Sequence, residues 1–141
     1  MTTKQITVAN VNEQIKLLYQ TAFPEDEQIP WEDLVRLIGE MHLDFTAYYE
    51  GENFIGFTIV FPHEPFNWYW YFAVLPEYRR RGIAKRLIEA TKAKADCMGI
   101  PCVGLLVDKG NPSGEALYSS VGLRYADASM WGGHQMKHLI L

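Results

Sequence analysis

The chain predicts a one-domain α/β protein, a mixed sheet with helices packed on its faces. Short alternating or β-branched runs at Phe45–Glu50, Asn53–Phe61 and Trp68–Leu75 mark strands, whereas Val11–Ala22, Trp31–Met41 and Ile83–Met98 repeat apolar residues at helical spacing. The 141 residues are 48% hydrophobic and 21% charged, which supplies a core and argues against disorder. No repeat, low-complexity tract or long linker divides the chain.

Taken in order, Ile6–Ala9 alternates with β-branched residues and reads as a first strand. Asn10 is placed to cap the next helix, with Glu13 closing a capping box. Val11, Ile15, Leu18 and Ala22 form that helix's apolar stripe, and Pro24 ends it. Glu25–Pro30 is an acidic loop. Pro30 or Trp31 starts a second helix with Trp31, Leu34, Leu37, Ile38 and Met41 on one face. Phe45–Glu50 and Asn53–Phe61 form a hairpin turning at Glu50–Gly51–Glu52, and the prolines of Pro62–His63–Glu64–Pro65 break its second strand. Trp68–Leu75 is a central strand stopped by Pro76. Ile83–Met98 is a long helix with Ala84, Leu87, Ile88, Thr91, Ala95 and Met98 on one face, and Gly99 stops it. Val103–Val107 is apolar throughout and reads as a strand buried on both faces. Asn111–Pro112 opens a helix through Ser120, Gly122 ends it, and Leu123–Ala126 and Gln135–Leu141 are closing strands.

Net charge is −4, but the charges are segregated. Residues 1–64 hold eleven of the seventeen acids and three of the thirteen bases, while residues 79–94 hold seven bases and one acid, Glu89. One end is thus prepared for an anion and the other favours a cation. The overall acidity, with no further basic and aromatic array, argues against a nucleic-acid partner, and none is expected. Apolar runs fall far short of the roughly 20 residues of a membrane helix, and the start MTTKQITVAN lacks a signal-peptide layout, so a cytoplasmic protein without membrane partners is expected. Two cysteines, Cys97 and Cys102, and four scattered histidines give neither a disulfide framework nor a metal site.

The chemistry-bearing segment runs from Val74 to Lys85. A central strand ends, the loop Arg79-Arg80-Arg81-Gly82 follows, and a helix begins at Ile83. A helix start exposes unpaired N–H groups and the positive end of its dipole. Gly82 lets the backbone approach a ligand, Ala84 stays small, and the arginines with Lys85 add charge-assisted donors. Such a segment suits a diphosphate. It matches neither the Walker loop nor the dinucleotide fingerprint.

Arg79-x-x-Gly82-x-Ala84 resembles the pyrophosphate-binding motif of the GNAT superfamily of N-acetyltransferases, and Val74-x-Pro76 resembles its usual lead-in. Asn111, Leu117-Tyr118 and Gly122-Leu123 resemble a second stretch of that family, about thirty residues downstream. The resemblance implies a mostly antiparallel sheet of six to seven strands with about four helices and a splay between strands 4 and 5. It implies acetyl-CoA as co-substrate, held by Phe72, Ala73, Val74, Arg79, Arg80, Arg81, Gly82, Ile83, Ala84 and Lys85. An N–H near Ala73 or Val74 would stabilise the oxyanion, and acetyl-pantetheine would lie between Phe72–Val74 and Val107–Lys109. Tyr118 would be the general acid for the departing thiolate, and Asn111 would hold the cofactor or the local loop. The family's habits suggest a homodimer. One departure stands out: histone-type relatives carry a glutamate base six residues before the position of Val74, and Trp68 stands there.

The acceptor implied is a primary amine of a small molecule or peptide. By strand parity, Trp68 and Trp70 share a face with Phe72 and Val74 and could wall an acceptor pocket, with Trp31 near it and Glu27 attracting an ammonium group. Glu27, Glu64 and Asp108 are open candidates for the base. The other reading is a GNAT-fold module that binds acyl-CoA without turnover.

Overall fold

A computed structural model describes residues 1–23, 25–41, 43–63, 66–97, 102–108, 124–131 and 134–140. Side chains are described over 1–23, 25–41, 43–60 and 71–91, and at 93 and 97. The strands are β1 (Thr2–Gln5), β2 (Asp44–Glu50), β3 (Asn53–His63), β4 (Phe66–Val74), β5 (Cys102–Asp108), β6 (Arg124–Trp131) and β7 (His134–Ile140). The helices are α1 (Glu13–Ala22), α2 (Trp31–Glu40) and α3 (Ile83–Cys97), with 3₁₀ turns at Glu25–Glu27 and Pro76–Tyr78. The sheet order is β1-β2-β3-β4-β5-β7-β6. Only β4 and β5 pair in parallel among the described strands. The helix expected over Asn111–Ser120 lies outside the described residues.

Two cores sandwich the sheet. On one face α1 and α2 bury Ile15, Leu18, Tyr19, Leu34 and Ile38 against Phe45, Ala47, Phe57, Ile59, Tyr71 and Ala73. On the other, Ile83 and Leu87 of α3 pack on Tyr48, Ile55 and Val74. Each large side chain withdrawn from water contributes about 2 kcal/mol. Alternation assigns the faces except where a bulge intervenes. Tyr48 pairs with Gly56 and Tyr49 with Phe54, so Ile55 is an extra residue and turns to the α3 face, opposite to Phe57 and Ile59.

Several local expectations are corrected. The first strand is Thr2–Gln5, an exposed edge, rather than Ile6–Ala9. Ile6 continues it by one bond to the Phe45 carbonyl (2.7 Å), after which the Thr7 N–H donates to Asn10 Oδ1 (2.7 Å) and turns the chain. Asn10 is therefore occupied, and Asn12 caps α1 by accepting from the Ile15 N–H at 3.2 Å. Pro62 lies within β3, which runs on to His63, instead of breaking the strand.

Candidate active site

The decisive geometry is at the C-terminal half of β4. Pairing with β5 covers Phe66 to Tyr69 opposite Cys102 to Leu105 and then stops, although β4 continues to Val74 and β5 to Asp108. The two strands splay there. A bulge marks the same place: Ile59 pairs with Tyr71 and Val60 with Tyr69, leaving Trp70 as the extra residue. That bulge breaks the alternation on which Trp68 and Trp70 were assigned to the face of Phe72 and Val74. The side chains of both tryptophans lie outside the described residues.

Hydrogen-bond parity fixes what the splayed edge presents. The Leu75 N–H donates to the Ile55 carbonyl at 2.9 Å, which makes Gly56 and Val74 a non-hydrogen-bonded antiparallel pair. The N–H and C=O of Val74 consequently face away from β3, toward the opening. Those of Ala73, one residue earlier, face Phe57. Of the two residues expected to offer an oxyanion donor, Val74 has the suitable direction and Ala73 does not. Gly56 permits this approach: a Cβ there would run into the Ala73 carbonyl oxygen and lie 3.1 Å from the Val74 Cα.

Immediately after β4, Pro76–Tyr78 forms a 3₁₀ turn and the chain enters the basic loop. Arg80 and Gly82 both take left-handed backbone conformations, φ 62° and 72°. Arg80 does so despite its Cβ, a form of local strain that concentrates at functional sites. Arg79 Nε donates to the Val74 carbonyl at 2.9 Å, and the Arg81 guanidinium lies over the Tyr78 ring, 5.5 Å from its centroid. The Arg86 N–H bonds back to the Gly82 carbonyl at 3.2 Å as α3 begins. The amides of Ile83, Ala84 and Lys85 thus belong to the helix start, whose N–H groups have no intrahelical acceptor. The Ile83 side chain is buried in the core, so only its backbone can serve a ligand. A Cβ on Gly82 would meet nothing within 4 Å, so the space before the helix is open. An open, amide-lined and arginine-rimmed helix start beside a splayed strand fits the diphosphate and thioester arm of acetyl-CoA.

On the other face of β4, two tyrosines hold the acidic loop. The Tyr71 hydroxyl donates to the Glu27 carbonyl at 2.8 Å and accepts from the Ile29 N–H at 3.2 Å. The Tyr19 hydroxyl donates to the Ile29 carbonyl at 2.8 Å. Their rings meet edge to face at 4.9 Å, and Trp31 lies 5.7 Å from Tyr19. Burial raises the pKa of both phenols; the Glu27 carboxylate pushes Tyr71 further in the same direction, against its proximity to the Tyr19 hydroxyl and the hydrogen bond from the Ile29 N–H. Glu25 and Asp26 are exposed and Glu27 is half-buried. Sequence reasoning missed Tyr19 and Tyr71. The available signal was that a core tyrosine needs a partner for its hydroxyl.

The structure thus gathers Val74, Arg79, Gly82 and the start of α3 at the mouth of the splay, and brings Glu27 to the opposite face of β4. Trp31 packs against the α1–α2 core. Asn111, Tyr118, Glu64 and Lys109 lie outside the described residues, as does the side chain of Asp108. Among the described residues, no group of three His, Cys, Asp or Glu could hold a metal ion, and no helix is long and apolar enough to cross a membrane.

An opened sheet edge feeding an anion-receptive helix start is the architecture of an enzyme that uses an acyl thioester of coenzyme A. The chain belongs to the Acetyltransferase (GNAT) family, whose profile matches residues 12–123, and it is an acetyl-CoA-dependent N-acetyltransferase. Its fold resembles the ribosomal-protein-S18-alanine N-acetyltransferase of Escherichia coli, with a TM-score of 0.80 at 20% identity, covering 99% of this chain and 92% of that one. It also resembles Ard1 from Thermoplasma volcanium, with a TM-score of 0.81 at 18% identity over 99% and 95% of the two chains. An acetyltransferase from Bacillus subtilis in complex with CoA gives a TM-score of 0.77 at 16% identity over 99% and 96%. No curated protein matches the chain in sequence.

Proposed function

We propose that this enzyme moves the acetyl group of acetyl-CoA to a primary amine of a small molecule or peptide by direct attack, in the cytoplasm. The observation that carries the reading is the end of β4–β5 pairing at Tyr69, which leaves the Val74 N–H facing the opening beside the basic start of α3. The amine nitrogen forms a bond to the acetyl carbon as the carbon–sulfur bond breaks. The Val74 N–H is the preorganised donor for the charge that develops on the carbonyl oxygen. Tyr118 gives the thiolate its proton, and Asn111 holds the cofactor or the loop next to it. The attacking amine loses its proton to Glu27 or to water reached through it; among the described residues Glu27 is a candidate base whose backbone carbonyl is tied to β4 through Tyr71.

The acceptor enters from the acidic loop, where Glu25, Asp26 and Glu27 attract an ammonium group and Trp31 supplies aromatic surface. Thiol release from acetyl-CoA against a panel of amines tests the reading. Tyr118→Phe is expected to slow turnover about ten-fold or more while coenzyme A binding persists. Equal turnover in the variant would remove Tyr118 from its role.

A further inference from the structure

We infer that Arg79 is a positioning residue that acts on the end of β4 through its Nε–H, by capping the Val74 carbonyl, while its positive charge serves coenzyme A affinity alone. The inference rests on the assignment of the Val74 N–H as the donor to the reacting carbonyl. Its geometric basis is independent of that assignment.

Val74 is the last residue of β4, and β5 has already separated from the strand five residues earlier. Because Gly56 and Val74 form a non-hydrogen-bonded pair, both main-chain polar groups of Val74 point to the side where no strand pairs with them. The carbonyl would be a bare acceptor at a site that must receive the oxygen of an acetyl group. Arg79 removes it. The chain leaves β4 by the Leu75 N–H bond to Ile55, folds through the 3₁₀ turn with the Tyr78 N–H on the Leu75 carbonyl (2.9 Å), and closes with Arg79 Nε on the Val74 carbonyl (2.9 Å). Residues 74–79 thereby form a ring closed by one side chain. The ring sets the strand end and the entry to the Arg80–Gly82 turn relative to each other. What remains presented by Val74 is its N–H.

The atom used explains which replacements should work. Nε is the fourth side-chain atom from the Cα in arginine, and Nε2 occupies the same place in glutamine. Lysine has a methylene there, with its ammonium one bond further out. Glutamine therefore keeps the donor and loses the charge, and lysine does the reverse.

The test compares Arg79→Gln, Arg79→Lys and Arg79→Met by three readouts. These are kcat with a turned-over amine, coenzyme A affinity by calorimetry, and hydrogen exchange of the Leu75 and Tyr78 amides in the protein without cofactor. Arg79→Gln is expected to keep kcat within about three-fold of wild type and to keep the amide protection. Arg79→Lys and Arg79→Met are expected to lose kcat by roughly ten-fold or more, and amide protection by a similar factor, from one lost hydrogen bond. Lysine should hold coenzyme A affinity nearer to wild type than methionine does. The inference is overturned if lysine restores kcat and protection while glutamine behaves like methionine, or if methionine behaves like wild type. If no amine is turned over, the acceptor assignment fails, and the exchange pattern still decides the role of Arg79.

Discussion

Tyr71→Phe isolates the hydroxyl that ties the acidic loop to β4. The ring contacts with Tyr19 and Phe23, each at 4.9 Å, survive the change. Two hydrogen bonds do not: the one to the Glu27 carbonyl and the one from the Ile29 N–H. Tyr71 is 5% exposed, so water replaces the hydroxyl poorly. At about 1 kcal/mol for each lost bond the total is about 2 kcal/mol. For a chain of this size that lowers Tm by roughly 7 °C. The same energy bounds the rise in amine KM at roughly 30-fold, should the loop be the acceptor's docking wall. The KM for acetyl-CoA should not move, because the loop at Arg79–Lys85 is untouched. Thermal unfolding, hydrogen exchange at Ile29 and steady-state kinetics with both substrates varied are the assays. A Tm within about 1 °C of wild type would refute the energetic reasoning. A KM change confined to acetyl-CoA would refute the placement of the acceptor on this face.

Three further outcomes are expected. Gly56→Ala puts a Cβ into the Ala73 carbonyl, so β4 must shift; stability should fall by about 1–3 kcal/mol, and kcat should drop with it even where the variant remains folded, as circular dichroism and kinetics would show. At Gly82→Asp the added Cβ meets nothing within 4 Å, and although the positive φ strains any L residue, aspartate tolerates the left-handed backbone better than most. The variant should fold, yet bind coenzyme A about ten-fold more weakly or worse by calorimetry, because its carboxylate faces a diphosphate. The phenols of Tyr19 and Tyr71 have folded-state pKa values above the unfolded value of 10.0, so their contribution to stability is complete below pH 10 and is lost as pH rises toward the folded value. A spectrophotometric titration should leave at least two of the eight tyrosines unionised until alkaline unfolding, and the Tyr19→Phe, Tyr71→Phe double variant should lack that late phase.

The three described helices and most described strands were legible because their signals are local. Leu34 and Ile38 of α2, or Leu87 and Thr91 of α3, recur at helical spacing and are buried where expected. The start of α3 at Ile83 followed from Gly82 and the basic run before it. β1 was misplaced because Thr2–Gln5 is exposed on every residue and carries no hydrophobic alternation. Asn10 and Asn12 are equally good caps by type; the choice fell to Asn12 because Asn10 also donates to the Gln5 carbonyl at 3.0 Å and is held away from the helix. The site was harder for a related reason. The bulge at Trp70 is a property of pairing with β3, and β3 is itself bulged at Ile55. No window of sequence shows either. The clamp by Tyr71 spans 44 residues to Glu27, and the return of Arg79 to Val74 depends on the 3₁₀ turn between them. The motif located the cradle; the register decided which main-chain groups it offers.

The most direct test of the central claim is a crystal structure with coenzyme A bound. The diphosphate should accept hydrogen bonds from the amides at the start of α3, within residues 82–85, and the pantetheine arm should lie along Phe72–Val74 in the opening beyond Tyr69. Phosphates seated away from the start of α3, or an arm that leaves the β4–β5 opening empty, would contradict the account.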